Sequence, residues 1–193
     1  RVAPYHRRSN NKDAAMRERT IASHFVRAAL RGATRQGLDG LALLRRAGIQ
    51  PALLDEPRAR IAPEQFTRLM QLLWEVLDDE YMGFGEVRSK RGTFAMMCHT
   101  LIHCRTLEKA LQRGELFYGL FPQAPLIHLR RDGDLVRLSL EERHLSDPDH
   151  FLAESLLVIW HRLASWLIGQ RIRLEEATFS YPAPDHQAEY DLL

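Results

Sequence analysis

The dipeptide Asp132-Gly133 constrains the fold more than any other feature, since it separates two runs in which apolar and polar residues alternate. Asp-Gly between such runs is the strongest short-range signal for a β-hairpin, because these residues tolerate the positive φ angles of a tight turn. A two-residue turn there pairs Arg131 with Asp134. It also pairs Leu129 with Val136, which puts the apolar side chains of both strands on one face. The sequence therefore predicts an antiparallel hairpin.

The chain before the hairpin has helical periodicity. A first helix is predicted from Ile21 to Gly37, and a later one begins at Pro63, a residue favoured in the first helical turn. Thr93 and Thr106 each precede a run of helical period and are predicted to cap two further helices. The helices therefore come first in the chain.

Two more elements are predicted after the hairpin. Asp147-Pro148 is a typical helix start and Gly169 a typical stop, and the residues between them, which include Trp160 and Trp166, are apolar on most sides. Such a helix is expected to be central and buried. Residues 171–181 are predicted to form a last strand. The resulting fold class is α+β, with N-terminal helices packed against a small antiparallel sheet and a buried central helix.

Length and charge set the broad class of the protein. A chain of 193 residues is one domain of ordinary size, and its basic start, residues 1–20, is predicted to be an N-terminal arm or a tag remnant. The net charge of +2 is too even to predict nucleic-acid binding from bulk charge. Cys98 and Cys104 do not make a disulfide framework, which favours reduced thiols and a cytoplasmic location. No apolar run has membrane-spanning length, so no membrane partner is expected.

Two polar clusters could bind charged ligands, and each also has a simpler structural interpretation. Arg27, Arg31 and Arg35 form a stripe that could bind phosphates or a cyclic dinucleotide, although a solvated helix face is the favoured interpretation. Two of the three carboxylates of residues 78–80 could share a proton if buried, but the run is expected in a helix-end loop in water.

His99 and His103 are the candidate metal ligands. They lie four residues apart on a predicted helix, which supplies two of the four ligands that a structural zinc needs. No second cluster with ligand spacing follows, and two histidines at the rim of a core face are the favoured interpretation. No metal and no cofactor are predicted.

Enzyme motifs are missing from the sequence. It contains no G-x-S-x-G, no H-E-x-x-H and no phosphate-binding loop, so no catalytic residue is predicted. Large side chains at helical spacing are expected mainly in the core, where some of them could line a small-molecule cavity between helices and sheet. The candidate ligand-binding residues are Trp74, Phe94, Met97, His99, Phe117, Phe121 and Trp160.

Short motifs follow one another in a recognisable order along nearly the whole chain. In the first half they are residues 25–30 (FVRAAL), 37–39 (GLD), 43–44 (LL), 47–49 (AGI), Pro51 and 60–61 (RI). In the second half they are 78–80 (DDE), 82–83 (MG), 92–94 (GTF), 106–107 (TL), 110–111 (AL), 133–134 (GD), 166–167 (WL), Gly169 and 189–190 (EY). Their order and spacing resemble the N-terminal effector domain, often labelled arabinose-binding, of a subset of bacterial AraC-type transcriptional regulators.

The resemblance implies that residues 21–193 form a non-enzymatic sensor for a small-molecule effector. It also implies a C-terminal DNA-binding domain with two helix-turn-helix motifs, which would follow Leu193 and is absent from this chain. A homodimer is expected, since regulators often match two-fold DNA sites. The helices-first pattern differs from the all-β cupin of the founding sugar-responsive member, so arabinose is not carried over. No functional residue transfers by position.

The chemical nature of the effector and the function class leave alternatives. The apolar and aromatic inventory favours an amphipathic or aromatic effector. A nucleotide-binding domain that uses the arginine stripe is the first alternative. The second is a small-molecule enzyme, which requires perturbed titratable groups to converge in the main pocket. The third is a metal sensor at His99 and His103.

Overall fold

The computed structural model describes residues 20–56, 58–121 and 123–192. The arm predicted for residues 1–20 therefore lies outside the described residues, apart from Thr20. Within the described residues there are six α-helices and two antiparallel sheets of two strands each. This composition confirms the predicted α+β class.

The chain order is helices first and hairpin later, as predicted. The first half holds β1 (Ile21–Ala22), α1 (Ser23–Arg35), α2 (Gly40–Arg46), a 3₁₀ helix (Pro51–Asp55), β2 (Arg60–Ile61) and α3 (Pro63–Leu77). The second half holds α4 (Thr93–Leu101), α5 (Leu107–Tyr118), β3 (Leu126–Asp132), β4 (Leu135–Glu141), α6 (Phe151–Leu167) and a 3₁₀ helix (Gln187–Leu192).

Helix α1 is the central helix of the first half. Val26 and Ala33 on its inner face are fully buried, and the helix packs against α3 and α6. The chain enters it from the β1–β2 ladder, in which Ile21 pairs with Ile61. The helix therefore begins at Ser23, two residues later than predicted, because Ile21 is committed to a sheet.

The loop after α3 is organised by a buried carboxylate. Asp79 is fully buried, and its oxygens accept hydrogen bonds of 2.8–2.9 Å from the backbone N–H groups of Tyr81, Gly83 and Ser89. A buried charge is tolerated when it is paired or hydrogen-bonded in this way. The expectation that the acidic run at residues 78–80 lies in water is therefore wrong for Asp79.

Glu80 organises the start of α4. Its carboxylate accepts hydrogen bonds from the N–H groups of Gly92 (2.8 Å) and Phe94 (2.9 Å). Gly92 is the N-cap residue, with a φ of 94°, whereas the sequence predicts Thr93. The Thr93 hydroxyl instead donates to the carbonyl oxygen of Lys90. A carboxylate twelve to fourteen residues away thus replaces the local side-chain cap.

Helix α5 begins as predicted and packs closely on α6. The Thr106 hydroxyl oxygen accepts a hydrogen bond from the N–H of Lys109, which caps the helix. At Gly114, an added Cβ would lie 2.5 Å from Cη2 of Trp160. The missing side chain therefore makes room for the indole ring between the two helices.

The β3–β4 hairpin has the predicted topology with a different register. Asp132 pairs with Leu135 across a two-residue turn at 133–134, in which the glycine takes the first central position with a φ of 60°. The predicted partners of Arg131 and Leu129 are therefore each wrong by two residues. The side-chain period of a strand is also two, so the same apolar side chains still share one face.

Helix α6 is buried on its inner side and exposed at its C-terminal end. The carboxylate of Asp147 accepts hydrogen bonds of 2.7–3.0 Å from three backbone N–H groups of the first turn. The helix itself begins at Phe151, with His150 as its N-cap, so the start predicted at Asp147-Pro148 is three residues too early. Trp160 is 1% exposed, whereas Trp166 is 68% exposed. The prediction of a helix buried on most sides is therefore wrong at its last turn, where no other element covers the indole ring.

The segment after α6 contains no strand within the described residues. Residues 171–181, which the sequence predicts as the last strand, are mostly exposed and belong to neither sheet. Two α6 side chains hold Ile172 instead: His161 Nε2 donates to its carbonyl oxygen at 3.0 Å, and Ser165 Oγ accepts from its N–H at 3.1 Å. Side-chain contacts thus replace the backbone ladder that a strand needs.

Candidate functional site

A cavity of about 110 Å³ lies between α1, the start of α6 and His186 of the C-terminal segment. Three segments far apart in sequence therefore form its walls. Four α1 residues that line it are three or four positions apart and so share one helix face. Those four residues are His24, Arg27, Ala28 and Arg31.

Arg27 is anchored at the cavity wall by one of its three guanidinium nitrogens. Nη1 donates to the carbonyl oxygen of Leu54 (2.9 Å) and to Oγ of Ser23 (3.1 Å). Within the described residues, Nε and Nη2 make no hydrogen bond. A guanidinium fixed at one corner with donors to spare is suited to binding a carboxylate or another planar anion.

The other two arginines of the stripe also bind other segments of the chain. Arg31 Nε lies 2.6 Å from Oδ2 of Asp149, and this ion pair is partly exposed. Arg35 donates to the carbonyl oxygens of Ser146 (2.7 Å) and Gly83 (3.3 Å). Arg31 and Arg35 are both exposed, in keeping with the interpretation of the stripe as a solvated helix face, and they also join α1 to the loops before α4 and α6.

Glu154 supplies the opposite charge on the α6 side of the cavity. Its Oε1 accepts hydrogen bonds from the hydroxyl groups of Tyr181 (2.5 Å) and Tyr190 (2.6 Å). Burial raises the pKa of both tyrosines, and the adjacent Glu154 carboxylate raises them further, so both hydroxyls remain donors at neutral pH. Within the described residues, Oε2 of Glu154 has no hydrogen-bond partner.

His24 contributes a half-buried imidazole to the cavity. Its ring stacks on that of His186 with centroids 4.1 Å apart, and its Nε2 is buried without a hydrogen-bond partner in the described residues. Burial, and next to it the neighbouring His186, lowers the pKa of His24 to about 4. The ring is therefore neutral at pH 7. An unpartnered buried nitrogen is costly, unless a ligand or water binds it.

The candidate ligand-binding residues predicted from the sequence lie elsewhere. Trp160 and Met97 meet at Gly114 in the core, and the rings of Phe117 and Phe121 lie 5.6 Å apart near the end of α5. None of the seven lines the cavity. The remaining three are half-buried or exposed: Trp74, Phe94 and His99.

Of the residues that line this cavity, sequence reasoning singled out only Arg27 and Arg31, as part of the arginine stripe, and linked them to none of the others. The available signal was the spacing of His24 and Ala28 with the arginines on one face of α1. A mixed face of histidine, arginine and alanine is neither a core face nor a purely charged one. Nothing local to α1 indicates that α6 and His186 complete the site.

Three further features of the described residues bear on function. They contain no group of three or more histidine, cysteine, aspartate or glutamate side chains placed to hold a metal ion. An open groove lies at the end of α6, beside the exposed Trp166 and residues 169–171. Among the described helices, none combines the length and apolar character that crossing a bilayer needs.

A family model described as the N-terminal arabinose-binding domain of AraC transcription regulators matches residues 37–193. The chain belongs to this family. The match spans the predicted order of motifs from Gly37 onward and confirms the resemblance drawn from them. The AraC-regulator domain therefore includes α6 and the C-terminal segment, which supply two of the three walls of the cavity.

One curated relative of this AraC-regulator domain is an ornithine utilization regulator of Pseudomonas aeruginosa. It is 24% identical over 157 residues, which cover 80% of this chain and 46% of the relative. The chain thus spans about half the length of the relative that it matches. No solved structure matches the chain significantly.

Proposed function

We propose that this domain senses a small-molecule effector in the cavity between α1, α6 and His186. One observation carries the proposal: the cavity wall holds an unpartnered buried nitrogen of His24 beside the anchored guanidinium of Arg27. Polar groups left without partners cost about 1–3 kcal/mol each when buried. A ligand that satisfies them removes this cost, which is the energetic pattern of a binding site.

The size of the cavity limits the effector. An apolar cavity of about 150 Å³ in another protein holds one benzene molecule, so about 110 Å³ has room for a ligand of roughly five to eight heavy atoms. A cyclic dinucleotide is several times larger than this cavity. In the arginine stripe that would bind it, Arg31 and Arg35 already contact other parts of the chain. A compact polar effector therefore fits better than a nucleotide or a long amphipathic chain.

Regulation follows if the effector binds one arrangement of the three walls better than another. The shift in the equilibrium is limited by the difference in affinity between the two states. Family membership supports an attached DNA-binding domain, a homodimer on two-fold DNA sites and a cytoplasmic location. The cavity offers no serine, threonine or cysteine nucleophile, which favours a sensor over an enzyme of acyl transfer.

The variant Ala28→Leu tests the proposal by filling the cavity. Ala28 is 7% exposed and lines the cavity, whereas Ala95 on α4 is exposed, so Ala95→Leu is the matched control. We expect compounds from a library of small metabolites, which includes the ornithine named in the relative's title, to raise the melting temperature of the wild type. The same compounds should have no effect on Ala28→Leu and their full effect on Ala95→Leu.

Two outcomes would contradict the proposal. In the first, no compound of this size range stabilises the wild type. In the second, Ala28→Leu binds a stabilising compound as tightly as the wild type does, which would place its site outside the cavity. In the full-length regulator, Ala28→Leu should also lose effector-dependent transcription while it retains DNA binding.

A further inference from the structure

The cavity is lined by charges of both signs, and the positive and negative groups lie on opposite sides. Arg27 and Arg31 lie on the α1 side, and Asp149 and Glu154 lie on the α6 side. Arg31 and Asp149 already neutralise each other at 2.6 Å. Outside that ion pair, Arg27 has unused donors at Nε and Nη2, and Glu154 has an unused acceptor at Oε2.

Both groups are held in place by contacts that do not involve a ligand. Arg27 is tied to the backbone of Leu54, and two tyrosine hydroxyls donate to the same oxygen of Glu154. An oxygen that accepts two O–H groups uses its lone pairs for both, so Oε1 is occupied by the tyrosines and Oε2 is the oxygen left for a ligand. Such groups are pre-organised, and a ligand that meets them spends little free energy on ordering them.

We propose that the cavity binds a compact zwitterion of the α-amino-acid class, with its carboxylate on Arg27 and its ammonium group on Glu154. This inference rests on the proposed function and names its ligand class. The neutral imidazole of His24 then supplies the one remaining hydrogen bond. Phe25 and Phe151 provide the apolar wall for a short side chain.

The small size of the cavity favours a zwitterion over a ligand of single charge. A sphere of 110 Å³ is about 6 Å across, so any ligand lies within the ~4–6 Å over which charges act strongly on one another. A lone anion on Arg27 is repelled by Glu154, and a lone cation on Glu154 is repelled by Arg27. A ligand with one charge of each sign satisfies both groups without repulsion.

Isothermal titration calorimetry and thermal shift with the twenty standard L-amino acids and L-ornithine test the ligand class. For the tightest binder, the matched probes are its carboxamide, which lacks the negative charge, and its deaminated acid, which lacks the positive charge. Each modification should weaken binding at least tenfold. The deaminated acid is smaller than its parent, so its weaker binding cannot come from a clash.

Variants assign each charge to its residue. In Glu154→Gln, which keeps an oxygen for the two tyrosines, the amino acid and its deaminated acid should bind equally. In Arg27→Gln, the amino acid and its carboxamide should bind equally. The exposed Arg45 provides the control: Arg45→Gln should prefer the amino acid over its carboxamide and its deaminated acid as strongly as the wild type does. If Arg27→Gln does not fold, Glu154→Gln alone still decides the assignment.

The outcomes separate the ligand class from the proposed function. The zwitterion proposal is overturned if the wild type binds the deaminated acid as tightly as the amino acid. It is also overturned if Glu154→Gln still binds the amino acid more tightly than the deaminated acid. If no amino acid binds but another metabolite does, and Ala28→Leu abolishes that binding, the class is wrong and the sensor function stands. If nothing in the library binds, both proposals fall.

Discussion

Replacing His24 with glutamine tests the electrostatics of the cavity. The pKa of His24 is lowered from its ordinary 6.5 to about 4, chiefly by burial. The charges of His186, Arg27 and Arg60 contribute to this lowering of the pKa, whereas Glu189 opposes it. The unfolded chain therefore takes up a proton at this position near pH 6.5, where the folded state still excludes it.

The direction and size of the effect follow from proton uptake on unfolding. The stability that depends on a neutral His24 is fully present above about pH 6.5 and is lost as the pH falls towards 4, because the unfolded state binds the proton first. Because a pKa shift of one unit corresponds to 1.36 kcal/mol, the upper limit of this contribution to the free energy of unfolding is about 3 kcal/mol. The side chain is only half-buried, so water screens the charge and we expect about 1–2 kcal/mol.

Denaturant unfolding of both proteins at several pH values measures this effect. The difference in unfolding free energy between wild type and His24→Gln should fall by about 1 kcal/mol from about pH 7.5 to about pH 5. The exposed His103 gives the control, since His103→Gln should track the wild type at every pH. A His24→Gln difference that stays constant, or that grows in acid, would refute the reasoning.

Two further predictions concern groups that hold the fold in place. Asp79→Asn should lower the free energy of unfolding by about 2–4 kcal/mol in denaturant melts, because the new NH₂ group faces backbone donors. The control is the exposed neighbour: Asp78→Asn should lower the free energy of unfolding by less than about 0.5 kcal/mol. Gly114→Ala should destabilise by about 1–2 kcal/mol in thermal melts, because the Cβ at 2.5 Å from Trp160 outweighs the better helix propensity of alanine. Gln112→Ala on the exposed face of α5 should be neutral or stabilising, and a stabilised Gly114→Ala would contradict the packing argument.

Elements specified by residues close together in sequence were predictable. Pro63 starts α3 and Thr106 caps α5 as expected, because each signal acts within one helical turn. Asp147 also accepts hydrogen bonds from the first turn of α6, although that helix begins three residues after the predicted Pro148. Predictions failed where a distant group decided the outcome. Glu80 replaces Thr93 as the cap of α4, and residues 171–181 have the pattern of a strand without a neighbour to complete a ladder.

The cavity was unpredictable for the same physical reason. The aromatic candidates were chosen because large apolar side chains often line ligand sites, and Trp160 does lie at the centre of the molecule, where its ring fills the gap beside Gly114. A well-packed core leaves no space there for a ligand. The space lies where α1 presents polar side chains to a polar segment, and hydrophobic periodicity carries no information about that face.

The assembly of the cavity from distant segments is also what makes it suited to sensing. His186 closes the cavity and stacks on His24, and its neighbours Glu189 and Tyr190 bind Arg60 and Glu154, so polar and ring-stacking contacts rather than a packed core hold the last described residues. Segments held in this way open at low free-energy cost. A ligand at 100 times its Kd stabilises the closed arrangement by about 2.7 kcal/mol, which is as large as one or two of those contacts. Occupancy of the cavity can therefore decide how firmly the C-terminal segment is attached, whereas a ligand bound within the Trp160 core would find no element so weakly held.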